Sequence, residues 1–187
     1  MTTARECGEC SLCCTVLRVD ELRKLGGVDC VHQLAEGGCG IHPNRPNICR
    51  AYRCAWLQGH FDESDRPDRL GAVLDFVNHG GRLMLEVRQA RGGSFDTSRR
   101  LREIADGQRE GVPVRITDTD DVMDPDRPFR VLLPGGEEHR VTGDAIEVHR
   151  PGQPVELRRL PLVERLARRA LLRVRAWRLR SRMGAES

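Results

Sequence analysis

The sequence predicts an α+β protein in three parts: a small Cys-rich N-terminal domain (1–60), a small β-rich body (61–157) and a basic amphipathic C-terminal helix (158–187). Three observations predict it. All eight cysteines fall between Cys7 and Cys54, short apolar runs punctuated by glycine fill the middle, and apolar residues recur at helical spacing near the end. Leu, Ile, Val and Phe make up 45 of 187 residues, enough for a folded core in a charged chain. Aromatics are scarce at 4%, so that core must be largely aliphatic.

In chain order, Thr15-Val16-Leu17-Arg18-Val19 reads as a short strand. Asp20 is placed to cap a short helix through Leu25, which Gly26-Gly27 would end. Pro46 suits the first residue of a second helix, carrying Cys49. Ala72–Val77 and Leu83–Val87, separated by Asn78-His79-Gly80-Gly81, read as a hairpin. Leu101, Ile104 and Ala105 suggest a helix over Ser98–Asp106, interrupted by Gly107 and Gly111. Strands follow at Val112–Thr117, Phe129–Leu133 and Ala145–His149. The acidic run Asp118, Asp120, Asp121, Asp124 and Asp126 lacks the glycine and terminal Glu of a calcium loop, and reads as a solvated connection.

The last zone, 158–183, reads as one helix with Pro161 in its first turn and Gly184 as a stop. Val163, Leu166, Ala167, Ala170, Leu171, Val174 and Trp177 form its apolar stripe. Arg158 to Arg182 holds ten arginines against one acid, Glu164, so this basic segment offsets an acidic remainder within a net charge of +3. The first reading of the helix is an apolar stripe docked on the body under a solvated arginine face. Arginines also neutralise phosphates, but no base-stacking aromatics accompany them, so nucleic acid is the less favoured partner. An anionic membrane surface is the third reading, and a protein partner is open.

No run approaches the roughly 18 apolar residues of a membrane span, and Met1-Thr2-Thr3-Ala4-Arg5-Glu6 leads into no apolar block. A cytoplasmic location is expected. A reducing compartment disfavours disulfides, so eight clustered thiols point to metal ligation or redox chemistry. No phosphate loop, catalytic Ser-His-Asp motif or HExxH signature is present, so enzymatic activity is left open.

Cys7-Gly-Glu-Cys10-Ser-Leu-Cys13-Cys14 gives three thiols from one short loop, as at the start of a bacterial ferredoxin run, with Cys14 added. Cys30, Cys39, Cys49 and Cys54 follow at wider spacings. Cys49 and Cys54 lie about 140° apart on an ideal helix, so they converge only if the helix ends before Cys54. All eight are candidate metal ligands, with His32 and His42 as further candidates. They suffice for two four-thiolate zinc sites, one iron–sulfur cluster with spare thiols, or two clusters. Arg45 and Arg50 either hold thiolates electrostatically or are solvated or paired with Glu6, Glu9 or Asp29. Tyr52 and Trp56 read as packing residues.

The run C-x-x-C-x-x-C-C, with Cys30-Val-His-Gln-Leu34, Gly38-Cys39-Gly-Ile41 and Arg45-Pro46-Asn-Ile-Cys49-Arg50-Ala-Tyr52-Arg-Cys54-Ala-Trp56-Leu57, resembles the YkgJ-type cysteine-cluster family. That family is described as a zinc- or iron-chelating domain and, in older usage, as iron–sulfur proteins. A related cysteine domain occurs in flagellin lysine methylases, for which iron–sulfur chemistry has been proposed. The resemblance spans residues 7–57 and gives all eight cysteines family counterparts; His42 stands where the family commonly has tyrosine. It implies a metal-binding protein holding zinc or an iron–sulfur centre. The alternatives are an iron–sulfur-dependent redox or group-transfer enzyme, and a zinc-stabilised adaptor for nucleic acid or a protein partner.

Overall fold

A computed structural model describes residues 5–118 and 127–184. The described residues form an α+β fold around one seven-stranded sheet, with strands in sequence order. These are β1 (Ala72–His79), β2 (Arg82–Gln89), β3 (Val114–Asp118), β4 (Phe129–Leu132), β5 (Glu138–Thr142), β6 (Ala145–His149) and β7 (Glu156–Arg159). All neighbours run antiparallel except β2 and β3, which are parallel. Parallel neighbours need a long crossover. Here it carries α4 (Ser94–Thr97) and α5 (Arg99–Arg109), while the short α3 (Pro67–Leu70) leads into β1.

The hairpin forms at its predicted place, and its strands extend to His79 and Arg82 around Gly80-Gly81. Asn78 Oδ1 accepts the Gly81 N–H at 2.8 Å, and both glycines take the positive φ that such a turn demands. In α5, Ser98 Oγ caps the Leu101 N–H at 3.2 Å. Gly107 does not interrupt this helix. It faces open space and costs only a propensity penalty, which the buried Leu101, Ile104 and Ala105 stripe outweighs. That stripe packs on Leu74, Leu85, Val87, Val114, Ile116 and Leu132, forming the aliphatic core.

Several local expectations fail for identifiable reasons. Thr15 and Val16 are not in a strand. They finish α1 (Leu12–Val16), where Cys14 N–H bonds to Ser11 O and Leu17 N–H to Cys13 O, so turn closure overrides β-branched propensity. The helix expected from Asp20 is a single 3-10 turn, Asp20–Leu22. Arg23 adopts a left-handed φ of 50° and ends it before Gly26 is reached. Two strands had no readable pattern: β5 buries Val141 alone, and β7 is exposed throughout. Arg158 and Arg159 therefore belong to β7, and the final helix, α6, spans Leu162–Gly184. Its apolar stripe is not docked on the body: Leu162, Val163, Leu166, Leu171, Val174 and Trp177 are all exposed. Of the acidic run, Asp118 closes β3 and accepts from Gln89 Nε2 at 2.6 Å; the other four lie outside the described residues.

The core makes a direct stability prediction. Leu101 is fully buried between helix and sheet, so Leu101→Ala should cost about 2–5 kcal/mol in urea unfolding. A cost below about 1 kcal/mol would mean that α5 does not cover the sheet as described.

Candidate functional site

The cysteine segment is built from turns rather than from a core of its own. Cys10 N–H bonds to Cys7 O at 2.9 Å, with Gly8 at positive φ, so the first loop curls back on itself. The α1 turn then carries Cys13 and Cys14. The Cys30–Cys39 segment is closed by Gln33 N–H to Cys30 O at 2.9 Å and by a bridge between Gln33 and Cys39. Polar side chains tie the two segments together. Gln33 Nε2 donates to Ser11 Oγ at 3.0 Å, and Thr15 Oγ1 to Asp29 Oδ1 at 2.7 Å. Asp29 is thereby engaged by a hydroxyl, away from the arginines that the sequence offered as its partners.

Gly37 is where the two segments meet most closely. It sits at φ 94°, and a Cβ there would stand 2.4 Å from Glu9 O, inside the first cysteine loop. Only glycine allows that approach.

The third segment is α2 (Asn47–Ala51), which follows Pro46 and carries Cys49. It ends at Tyr52, whose φ of −72° and ψ of 128° are extended. The helix thus stops before Cys54, the condition for Cys49 and Cys54 to face one space. The chain then joins the sheet: Ala55 N–H bonds to Leu74 O at 2.8 Å, and Ala55 and Trp56 are buried. Trp56 is a packing residue, with Arg5 over its ring and its Nε1 bonded to Asp62 O at 3.1 Å.

All eight cysteines are free and half-buried, and all eight line one cavity of about 480 Å³. His32, His42 and Arg45 line it as well, whereas Arg50 does not. The wall contributed by the sheet includes Val73, Asp75, Val77 and Arg88. Among the described residues, no three His, Cys, Asp or Glu side chains stand close enough together to hold an ion as placed. The thiols share a space without being drawn to a point within it.

The electrostatics of that space are uneven. Burial pushes the Cys7, Cys10, Cys49 and Cys54 thiols above the ordinary thiol range. Cys13 and Cys14 are a coupled pair. The Cys13 thiol donates to Cys14 sulfur, which raises Cys13 strongly and lowers Cys14 to about 7, with Lys24 and Arg45 adding to the lowering. Lys24 is buried at 7% exposure, and its Nζ donates to the carbonyls of Thr15, Leu17 and Leu25 at 3.0, 2.6 and 2.9 Å. Burial lowers its pKa, while nearby thiols Cys30 and Cys14 oppose that.

On the sheet side, Tyr52 Oη donates to Asp75 Oδ2 at 2.6 Å, and Arg88 bridges Asp75 at 3.1 Å and Glu86 at 2.7 Å. Burial raises Asp75 despite the favourable bond from Tyr52. Tyr52 is raised by its own burial and by Asp75. Tyr52 is thus more than a packing residue: it fastens the third cysteine segment to β1.

Sequence reasoning missed Lys24, Asp75 and Arg88. Two of them left a trace. Lys24 is the single lysine among thirty arginines, and Asp75 interrupts the apolar run of β1. Comparison with known proteins finds no matching family model, no matching curated protein and no matching solved structure.

Two experiments follow from this geometry. In metal-free protein Cys14 is held below the ordinary thiol range while Cys7, Cys10 and Cys13 are held above it, so its alkylation by iodoacetamide should set in at lower pH than theirs. Modification of all four in step would contradict the Cys13–Cys14 pairing. Separately, Gly37→Ala should destabilise the contact of the first two segments by about 1–3 kcal/mol. It should be seen as lost amide-exchange protection at Leu34 and Gly40, whose N–H groups bond to Gly38 O and His32 O. Unchanged protection there would count against the close approach to Glu9.

Proposed function

We propose that this protein is a metal-binding module in which Cys7, Cys10, Cys13, Cys14, Cys30, Cys39, Cys49 and Cys54 hold an iron–sulfur centre or zinc. The single observation that supports it best is that all eight thiols, spread over 48 residues, line the same cavity. The donor chemistry fits: thiolates are ligands for zinc and for iron–sulfur clusters, and deprotonate on binding. Lys24, Arg45 and Arg53 would offset the negative charge that bound thiolates bring, as Cys7 and Cys14 already feel Arg45.

On this reading residues 7–57 form a cysteine-cluster domain of the YkgJ type, and so many free thiols suit the cytoplasm. The tandem C-x-x-C-x-x-C opening favours iron, because three thiolates from one loop suit three corners of a cubane. The group, when bound, would supply Lewis acidity or electron transfer. The chain's own part is to gather the thiols, keep most of their surface from water and neutralise their charge.

Anaerobic purification followed by elemental and acid-labile sulfide analysis tests this. Expected are a brown protein with broad absorption near ~400 nm, and iron with equimolar sulfide. A colourless sample with stoichiometric zinc would replace iron by zinc. Less than one metal of any kind per chain would remove the metal-binding reading altogether.

A further inference from the structure

The C-terminal helix presents a different surface, independent of the cysteine cavity. Among the described side chains of α6, Arg165, Arg168, Leu172 and Ala176 are half-buried. At 100° per residue they occupy about 80° of one side. That side faces the β5–β6 turn: Arg165 pairs with Asp144 at 2.8 Å, Arg169 with Asp144 at 3.1 Å, and Arg168 donates to Gly143 O. The exposed apolar residues Leu162, Val163, Leu166, Leu171, Val174 and Trp177 lie within the opposite half-turn. The helix is thus held to the body by its charged seam, with its apolar face outward. That is the reverse of a helix that serves a core.

The charge defines what covers this face. The helix carries eight arginines and one acid, and Arg173 and Arg178 are exposed along its outward side. A second copy of this chain would bring the same positive charge against it. Nucleic acid would neutralise the arginines and leave Val163, at 78% exposure, and Trp177, at 68%, in water. A groove that clasps a basic amphipathic helix needs access around it, but the β5–β6 turn holds one side. A flat anionic surface satisfies all three conditions: it takes the apolar face, pairs with the flanking arginines and approaches from one direction.

We propose that α6 docks the protein in-plane on an anionic phospholipid bilayer surface. Leu162, Val163, Leu166, Val174 and Trp177 enter the acyl boundary, and the flanking arginines reach lipid phosphates. Among the described residues no helix is long and apolar enough to cross a membrane, and the docking requires none.

Flotation of the full-length protein with phosphatidylcholine vesicles, with and without about a quarter phosphatidylglycerol, tests this. Binding is expected only with the anionic lipid, with a blue-shifted tryptophan emission that Trp177→Phe removes and that buried Trp56 does not supply. The double variant Leu166→Asp, Val174→Asp should bind about ten-fold or more weakly at unchanged circular dichroism. Arg173→Gln with Arg178→Gln should weaken binding chiefly at low salt. Failure to bind anionic vesicles at low salt would overturn the proposal. So would undiminished binding by the aspartate variant, which would leave a purely electrostatic contact. Stronger retention on duplex DNA or on an immobilised acidic peptide than on vesicles would assign the face to that partner instead.

Discussion

Everything in this fold leans on the exposed edge of β1. An edge strand with free N–H and C=O groups is a liability unless something covers it. Here the cysteine segment does so, through Ala55 N–H to Leu74 O and Tyr52 Oη to Asp75. Over Ala72–Asp75 the strand is buried on both faces, and it emerges at Asn78 and His79. Ala72 and Leu74 join the core beneath α5, while Val73, Asp75 and Val77 turn toward the thiols. That double duty explains the near-continuous apolar run from Ala72 to Val77, which would alternate more strictly if one face met water. The cysteine segment buries only Val16 and Val19 among its Leu, Ile and Val residues and borrows the sheet as a wall.

How much of this was legible in the sequence depends on the kind of signal. The hairpin carried two short apolar runs around a glycine turn and α5 a helical pattern, and their positions follow within a few residues. The cysteines were legible as a set, and the constraint on Cys49 and Cys54 correctly required α2 to end early. β5 and β7 were not legible, because solvated strands such as Glu156–Arg159 have no buried face to impose a pattern. Lys24 was not legible as a buried group, since nothing local distinguishes a buried ammonium from a solvated one. Its three carbonyl partners come from Thr15, Leu17 and Leu25. Periodicity also identified α6 as amphipathic without saying which way it faces. The Asp144 pairs, far off in sequence, decide that.

The cavity combines raised thiols with fixed cations, and the two are linked. Desolvation disfavours thiolates unless positive charge accompanies them. Lys24 is anchored in the cavity wall by three carbonyls, where burial lowers its pKa and the neighbouring Cys30 and Cys14 oppose that. Cys14 is lowered chiefly by the hydrogen bond from Cys13, with Lys24 and Arg45 adding to it. Under the proposed reading, metal binding would complete what Lys24 and Arg45 begin, converting buried thiols to thiolates against a background that is ready to receive the charge.

The strands lie in sequence order, so the cysteine cavity flanks β1 at one edge of the sheet while α6 follows β7 at the other. The two regions are still in electrostatic reach through the middle of the sheet: Arg115 of β3 feels both Arg88, which lines the cavity, and Arg168 of α6. One edge strand, β1, is buried over Ala72–Asp75 beside the cysteine segment. The other, β7, is left exposed and protected by its Glu156–Arg158 charges rather than by a covering element.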